Sequence, residues 1–229
     1  MNNETKQIFE LFTKNHKLKF NEIEKHLDIR SNLLVYHLDK MKQEGWIEKQ
    51  DDIYQLTKKA EEKLPFYAHI VEKETGVLPV VLAAIIKDNQ ICLLKRNKRP
   101  YKDHWGLISG KMKMGESIKT TALREAQEET NLDVEFHSIK NIIHEHAKEN
   151  QKPKHSFLLV LVQLNAQNKD FQISEEGELK WFDINDLPKE NVIHSDIWMI
   201  QNHLNNTIKV PEVSMDEIDG NLVDFKELS

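Results

Sequence analysis

Residues Gly110–Leu132, GKMKMGESIKTTALREAQEETNL, join a glycine turn to an acidic helix, and the rest of the chain is read outward from them. Glu125, Glu128 and Glu129 stand three and four residues apart, so on a helix their carboxylates reach one edge of a single face. Such an edge is a place for a cation. Like charges at i,i+4 cost a free helix only ~0.2–0.5 kcal/mol per pair, however, so a solvated acidic face explains the spacing as well. The neighbouring residues separate the two readings. Gly110, Glu116, Arg124-Glu125-Ala126, Glu128-Glu129 and Leu132 fall at fixed offsets, in the pattern G-x5-E-x7-R-E-A-x-E-E-x-N-L.

That pattern resembles the Nudix box, which specifies glycine, glutamate, Arg-Glu, an aliphatic residue, Glu-Glu, glycine and a final aliphatic residue at these offsets. Asn131 stands where the family has glycine. The position lies just past a helix end, where a left-handed backbone is wanted and Asn is the next-best residue. The resemblance implies an α/β/α Nudix sandwich with a mixed sheet, Mg2+ or Mn2+ as cofactor, and hydrolysis of a diphosphate bond. The expected substrate is a nucleoside diphosphate linked to another moiety, ADP-ribose-like, or a nucleoside triphosphate. It also implies roles. Glu125, Glu128 and Glu129 would hold the metal with a backbone carbonyl near Gly110, Arg124 would orient the glutamates, and Glu116 would support the loop or an additional metal. The attacking water needs a proton acceptor. Glu125 is the candidate within the box, and Glu176, in the acidic run Ser174–Glu178, is the candidate from a later loop.

Around the box the pattern is strand-rich. VLPVVLAAIIKD and QICLLKR read as buried strands about the turn Asp88-Asn89, VEFHSIKNIIHEH and HSFLLVLVQLN as further strands, and GELKWFD as a strand preceding a helix over Ile193–Leu204. His144 and His146 flank Glu145 but lack an evident third ligand, so they read as surface or groove-edge histidines. The single cysteine, Cys92, lies in the apolar run ICLL and reads as a buried strand thiol. Asp219-Gly220-Asn221 signals a turn in a terminal hairpin.

The N-terminal third is different. Ile8, Leu11 and Phe12, then Ile23, Leu27 and Ile29, follow helical spacing, and a third helix opens at Ser31 or Asn32 as cap and runs through Leu34, Leu38 and Met41 to Gly45. WIEKQ and DIYQL then form a hairpin about Asp51-Asp52, and Thr57 opens a further helix. This order resembles the winged helix-turn-helix of many prokaryotic regulators. The expectation is therefore a two-domain chain: a mainly α winged helix-turn-helix domain with a helical connector over residues 1–75, the connector occupying Pro65–Gly76, and the hydrolase domain over 76–229. The resemblance implies double-stranded DNA as a partner, with Asn32, Tyr36, His37 and Lys40 on the exposed face of the third helix and Arg30 immediately before it. Proteins of both resembled families often form dimers, so a homodimer is expected.

Composition bounds the rest. The net charge of −6 offers no bulk attraction to nucleic acid or an anionic membrane, and neither part of the chain is basic: residues 1–75 hold 13 Lys/Arg against 14 Asp/Glu, and residues 76–229 hold 19 against 24. No apolar run approaches the ~18 residues of a membrane span. The polar start MNNETKQIF lacks the layout of a signal peptide, so a cytoplasmic location is expected. The competing reading is a transcriptional regulator whose Nudix-like domain senses a nucleotide metabolite; the full set of box carboxylates favours hydrolysis. A third leaves the N-terminal domain as a dimerisation or protein-binding module.

Overall fold

The computed structural model describes residues 3–27, 29–63, 76–172, 175–218 and 221–228. All but Gly76 of the connector expected over Pro65–Gly76, and most of the terminal turn at Asp219-Gly220-Asn221, lie outside the described residues. The chain divides into two compact units, residues 1–76 with 217–223 and residues 77–216 with 224–229.

The first unit is mostly helical: α1 (Asn3–Lys14), β1 (Lys17–Lys19), α2 (Phe20–His26), α3 (Ser31–Gln43), β2 (Ile47–Gln50), β3 (Ile53–Leu56) and α4 (Lys58–Glu61). Its three strands pair antiparallel in the order β1-β3-β2. The short β1 was not expected from the sequence. Ile8, Phe9, Phe12, Leu34, Leu38, Met41 and Ile47 form one core, each of these side chains worth ~1.5–3 kcal/mol of burial. The cap of α3 differs from expectation: Arg30 is the N-cap, with no side-chain cap bond, and the Ser31 hydroxyl instead donates to Glu24 at 2.5 Å. Thr57 does cap α4, its hydroxyl accepting from the Ala60 amide.

The second unit is built on a seven-stranded mixed sheet. Its strands are β4 (Leu78–Lys87), β5 (Gln90–Arg96), β6 (Trp105–Gly106), β7 (Ile108–Lys111), β8 (Val134–Glu149), β9 (Lys152–Ala166) and β10 (Gly177–Asp183). The order is β10-β5-β4-β9-β8, with β6 on β5 and β7 on β4; β4 and β9 run parallel and the other pairs antiparallel. Asp88 and Asn89 close the β4–β5 turn at φ 48° and 60°. The β8–β9 hairpin is longer than its apolar runs suggested, because Asn150 and Gln151, at φ 51° and 64°, make a tight turn inside a polar stretch that reads as loop.

Side-chain alternation splits the core into two layers. Val81, Ala83, Ile85, Val160 and Val162 face α5 (Ile118–Thr130). Leu82, Ala84, Leu159 and Leu161 face α6 (His194–His203), which contributes Met199 and Ile200. A terminal hairpin follows, β11 (Val213–Ile218) with β12 (Asn221–Glu227). Among the described residues no helix is long and apolar enough to cross a membrane.

Asp196 of α6 is buried and its Oδ2 accepts the Leu107 amide at 2.8 Å, tying α6 to the link between β6 and β7. Gly106 makes room for it, since a Cβ there would come within 2.7 Å of that oxygen. Burial pushes the Asp196 carboxyl up from 3.8 to about 7, the Glu145 charge adding to the rise. The folded chain thus holds a proton that the unfolded chain has lost across this interval, and the stability it contributes at low pH is lost as pH rises toward 7. Unfolding by denaturant should show this fall between about pH 4 and 7. Asp196→Asn, which keeps an acceptor for Leu107, should flatten it by up to roughly 4 kcal/mol. Parallel pH profiles for the two proteins would contradict the assignment.

Candidate active site

The acidic stretch folds as expected into a helix packed on the sheet. Ser117 caps α5, its hydroxyl accepting the Thr120 amide at 2.9 Å. At the other end Asn131 adopts the left-handed conformation, φ 55° and ψ 21°. Ala122 and Ala126 are fully buried, and such small side chains bring the helix close to the strands. Strand β7 lies beside it and delivers Ser109 and Gly110. Glu125 fills the space where a side chain at residue 110 would stand: a Cβ there would fall 1.7 Å from the Glu125 Cδ. Only glycine fits this approach.

The carboxylates are not equivalent. Arg124 grips Glu116 through two parallel bonds, Nε to Oε1 at 2.6 Å and Nη2 to Oε2 at 2.9 Å. It also donates from Nη1 to Glu125 at 2.5 Å and to Glu128 at 3.1 Å, and from Nη2 to the Lys111 carbonyl at 3.2 Å. Held first by this guanidinium, the Glu116 carboxyl is pushed down to about 2. The Lys113 amide and the Thr121 hydroxyl also donate to Glu116, so both its oxygens are taken by protein donors. Of the expected metal ligands it is the one most committed to holding the loop.

Glu129 is the exception. It is only 8% exposed, and its Oε2 is buried with no hydrogen-bond partner. Burial pushes its carboxyl up to about 8; Glu125 and Glu176 add to the rise, and Arg96 and the Ser109 amide oppose it. A buried acceptor left unpaired is costly, and a cation would satisfy it. Among the described residues no three His, Cys, Asp or Glu side chains stand gathered as a ready metal cluster; Arg124 holds Glu125 and Glu128 instead.

Glu176 comes to the same place from the other side of the sheet sequence. Its carboxylate accepts Lys98 Nζ at 2.6 Å, its carbonyl accepts the Asn97 amide at 2.8 Å, and its charge is felt at Glu129. Of the acidic run around it, Ser174 lies outside the described residues. Sequence reasoning missed Arg96, Lys98, Tyr101, Glu145 and Asp196. Arg96 was the most detectable, as a cation ending the apolar run ICLLKR; its Nη1 lies 3.4 Å from the Ser109 hydroxyl. A cavity of about 330 Å³ opens beside Ser109 and Gly110, with Arg96, Tyr101, Glu145, Phe157 and Asp196 in its walls. His144 and His146, by contrast, are exposed, their rings tilted by 56° with centroids 4.2 Å apart, and both bond to the Ser156 hydroxyl.

In the first unit Arg30, Asn32, Tyr36 and Lys40 are exposed, Tyr36 by 59%. The expectation for His37 is corrected. It is 2% exposed, with Nδ1 3.4 Å from the Thr5 hydroxyl, because it shares the buried stripe of Leu34, Leu38 and Met41.

Residues 77–201 match the family model of the NUDIX domain. Over 143 residues the chain is 25% identical to an ADP-ribose pyrophosphatase from Methanocaldococcus jannaschii, covering 62% of this chain and 79% of that protein. Over 112 residues it is 27% identical to the NAD-capped RNA hydrolase NudC from Vibrio atlanticus, covering 49% of this chain and 39% of that protein. Among solved structures, a MutT NUDIX hydrolase from Burkholderia pseudomallei aligns with 56% of this chain and 98% of its own, at 23% identity and a TM-score of 0.49. With the domain matched over more than half of its length and the box seated on the fold described above, the chain belongs to the NUDIX family and is a Nudix-type pyrophosphohydrolase.

Proposed function

We propose that the chain is a Mg2+- or Mn2+-dependent hydrolase that cleaves the diphosphate of a nucleoside diphosphate linked to another moiety, with ADP-ribose-like compounds foremost. The observation that carries this reading is the buried, unpartnered Glu129 Oε2, on a carboxyl that feels the Glu125 charge and accepts the Ser109 amide. Kinship with an ADP-ribose pyrophosphatase supports the substrate class. Glu125, Glu128 and Glu129 would hold the cation with the Gly110 carbonyl, since hard divalent ions prefer such oxygens and Mg2+ commonly takes one or two carboxylates plus substrate phosphates. The chemistry the cation supplies is neutralisation of the diphosphate, whose oxygens otherwise repel a nucleophile. Arg124 keeps Glu125 and Glu128 in place, and Glu116 in turn keeps Arg124. Glu125 and Glu176 are the two candidates to accept the proton of the attacking water.

For residues 1–75 we propose a winged helix-turn-helix domain that binds double-stranded DNA, with the hydrolase domain over 76–229. The order of α1 to β3, the three-stranded antiparallel sheet and the exposed Asn32, Tyr36 and Lys40 on α3 support it. A homodimer in the cytoplasm completes this reading. If turnover proves absent, the same two units fit a regulator that senses a nucleotide.

Purified protein should hydrolyse ADP-ribose or a related nucleotide only with Mg2+ or Mn2+ present. Glu129→Gln should lower turnover at least ~100-fold, more than loss of a metal's supporting partners ordinarily costs, while circular dichroism shows the fold retained. Inactivity of the wild type across a broad nucleotide panel with both metals would overturn the hydrolase reading, and an active Glu129→Gln would overturn the metal site. Binding to the promoter region beside the protein's own gene should weaken with salt. Removing a side chain that touches one phosphate should reduce the log–log slope by ~0.9, so Arg30→Ala with Lys40→Ala should flatten it by about twice that. Absence of binding at low salt, with or without nucleotide, would make the unit an interaction module.

A further inference from the structure

The terminal ribbon of β11 and β12 has an uncovered apolar face. Asp216 pairs with Lys226 across the two strands at 4.0 Å, and Asp224 with the same lysine at 2.7 Å, so these three share a face. Alternation along the strands then puts Val213, Met215 and Phe225 on the opposite face. All three are exposed, by 53%, 54% and 59%. A two-stranded ribbon is marginal by itself in water and needs a further strand or a packed face.

The hydrolase unit also holds an unfilled groove. It measures about 620 Å³ and lies between the start of α5, strand β8 and the segment leading into β11, with Met112, Ile118, Phe136, Ile139, Pro211 and Val213 in its walls. Val213 belongs to both features, so groove and ribbon are neighbours on one surface. Their charges are opposite. Residues 212–228 hold six Asp/Glu against one Lys. Lys119 stands in the groove wall with its ammonium 5.8 Å from the centre of the Phe136 ring, and Lys111 and Lys113 are exposed on the chain that leads to it.

We infer that the groove takes the ribbon of a second copy of this chain, each ribbon entering the other's groove about a twofold axis. This rests on the homodimer reading above and names its surface. Within one copy the two features do not satisfy each other, since Met215 and Phe225 stay exposed while the groove stands open. A second copy supplies apolar side chains to the groove, a floor to the ribbon and acids to the lysines. An unrelated basic protein covers the ribbon but leaves the groove unfilled. Reciprocal exchange makes every contact twice and closes at two copies, so no apolar face is left to recruit a third. Met112 and Glu116 of the groove belong to the loop before α5, and Glu116 holds Arg124, so the partner's ribbon rests against the loop that supports the box carboxylates.

The test is sedimentation equilibrium of the full chain, without nucleotide or metal, joined to hydrogen exchange at high and low protein concentration. The wild type should be dimeric at micromolar concentration, with amides of β11, β12 and residues 112–119 slowed in the concentrated sample. Met215→Ser with Phe225→Ser should raise the dissociation constant at least ~100-fold, about tenfold for each apolar side chain lost from the interface. Both residues are exposed in the single copy, so circular dichroism should show the fold retained. Lys119→Glu, a change in the groove rather than the ribbon, should weaken association as well. Protection of β11 and β12 that is independent of concentration would place their cover within the same chain and overturn the inference. Dimers of unchanged affinity in both variants would remove this surface but leave the homodimer reading, whereas a monomeric wild type would remove both.

Discussion

Crowding of like charge is the constraint around which the hydrolase unit is arranged. Glu116, Glu125, Glu128 and Glu129 are brought together by one loop and one helix, and two unit charges 4 Å apart repel by on the order of 4 kcal/mol at a protein-like dielectric. Arg124 answers three of them at once, reaching Glu116, Glu125 and Glu128 from a side chain only 18% exposed. The fourth receives nothing from it. Glu129 is left with a buried, unpaired oxygen and a carboxyl pushed up to about 8, so the unsatisfied part of the site lies at one identifiable atom.

The fold maintains that asymmetry from both layers. Ala122 and Ala126 bring α5 close to the sheet, and Gly110 then leaves the volume that Glu125 occupies. From the opposite layer, Asp196 of α6 holds the Leu107 amide, and two residues later the Ser109 amide meets Glu129. A helix on the other face of the sheet therefore helps to set the strand on which the box glycine sits. Burial gives this arrangement its rigidity, because a close-packed interior transmits small displacements rather than absorbing them.

Much of this was legible in the sequence wherever the signal was local. The i, i+3, i+4 glutamates and the left-handed Asn131 lie within one stretch, and helix geometry alone relates them. The turn at Asp88-Asn89 was readable for the same reason, as two residues that tolerate positive φ between apolar runs. The cavity was not legible. Arg96 ends β5, Glu145 lies within β8 and Asp196 on α6, and only the strand order β10-β5-β4-β9-β8 and the packing of α6 bring them together. Its residues have no common spacing for a pattern to reveal. His37 was misjudged for a different reason: its polarity outweighed its spacing, although a residue three after Leu34 and four before Met41 shares their face of a helix.

The same correction bears on the proposed DNA contact. With His37 inside, base readout would fall to Asn32, whose amide can bond to base edges, and to Tyr36. The cations of α3 are partly answered within the helix, Lys42 by Asp39 at 2.8 Å and Lys40 by Glu44 at 3.8 Å. Exposed pairs of this kind are weak, ~0.2–1 kcal/mol, so phosphates can displace the acids. The balance of 13 Lys/Arg against 14 Asp/Glu over residues 1–75 nevertheless leaves little attraction beyond those few cations. One copy would then hold DNA poorly. Two copies on one duplex would make the second binding event intramolecular, a gain of ~10²–10⁴ without any new cation, so on the proposed reading DNA binding and dimerisation stand or fall together.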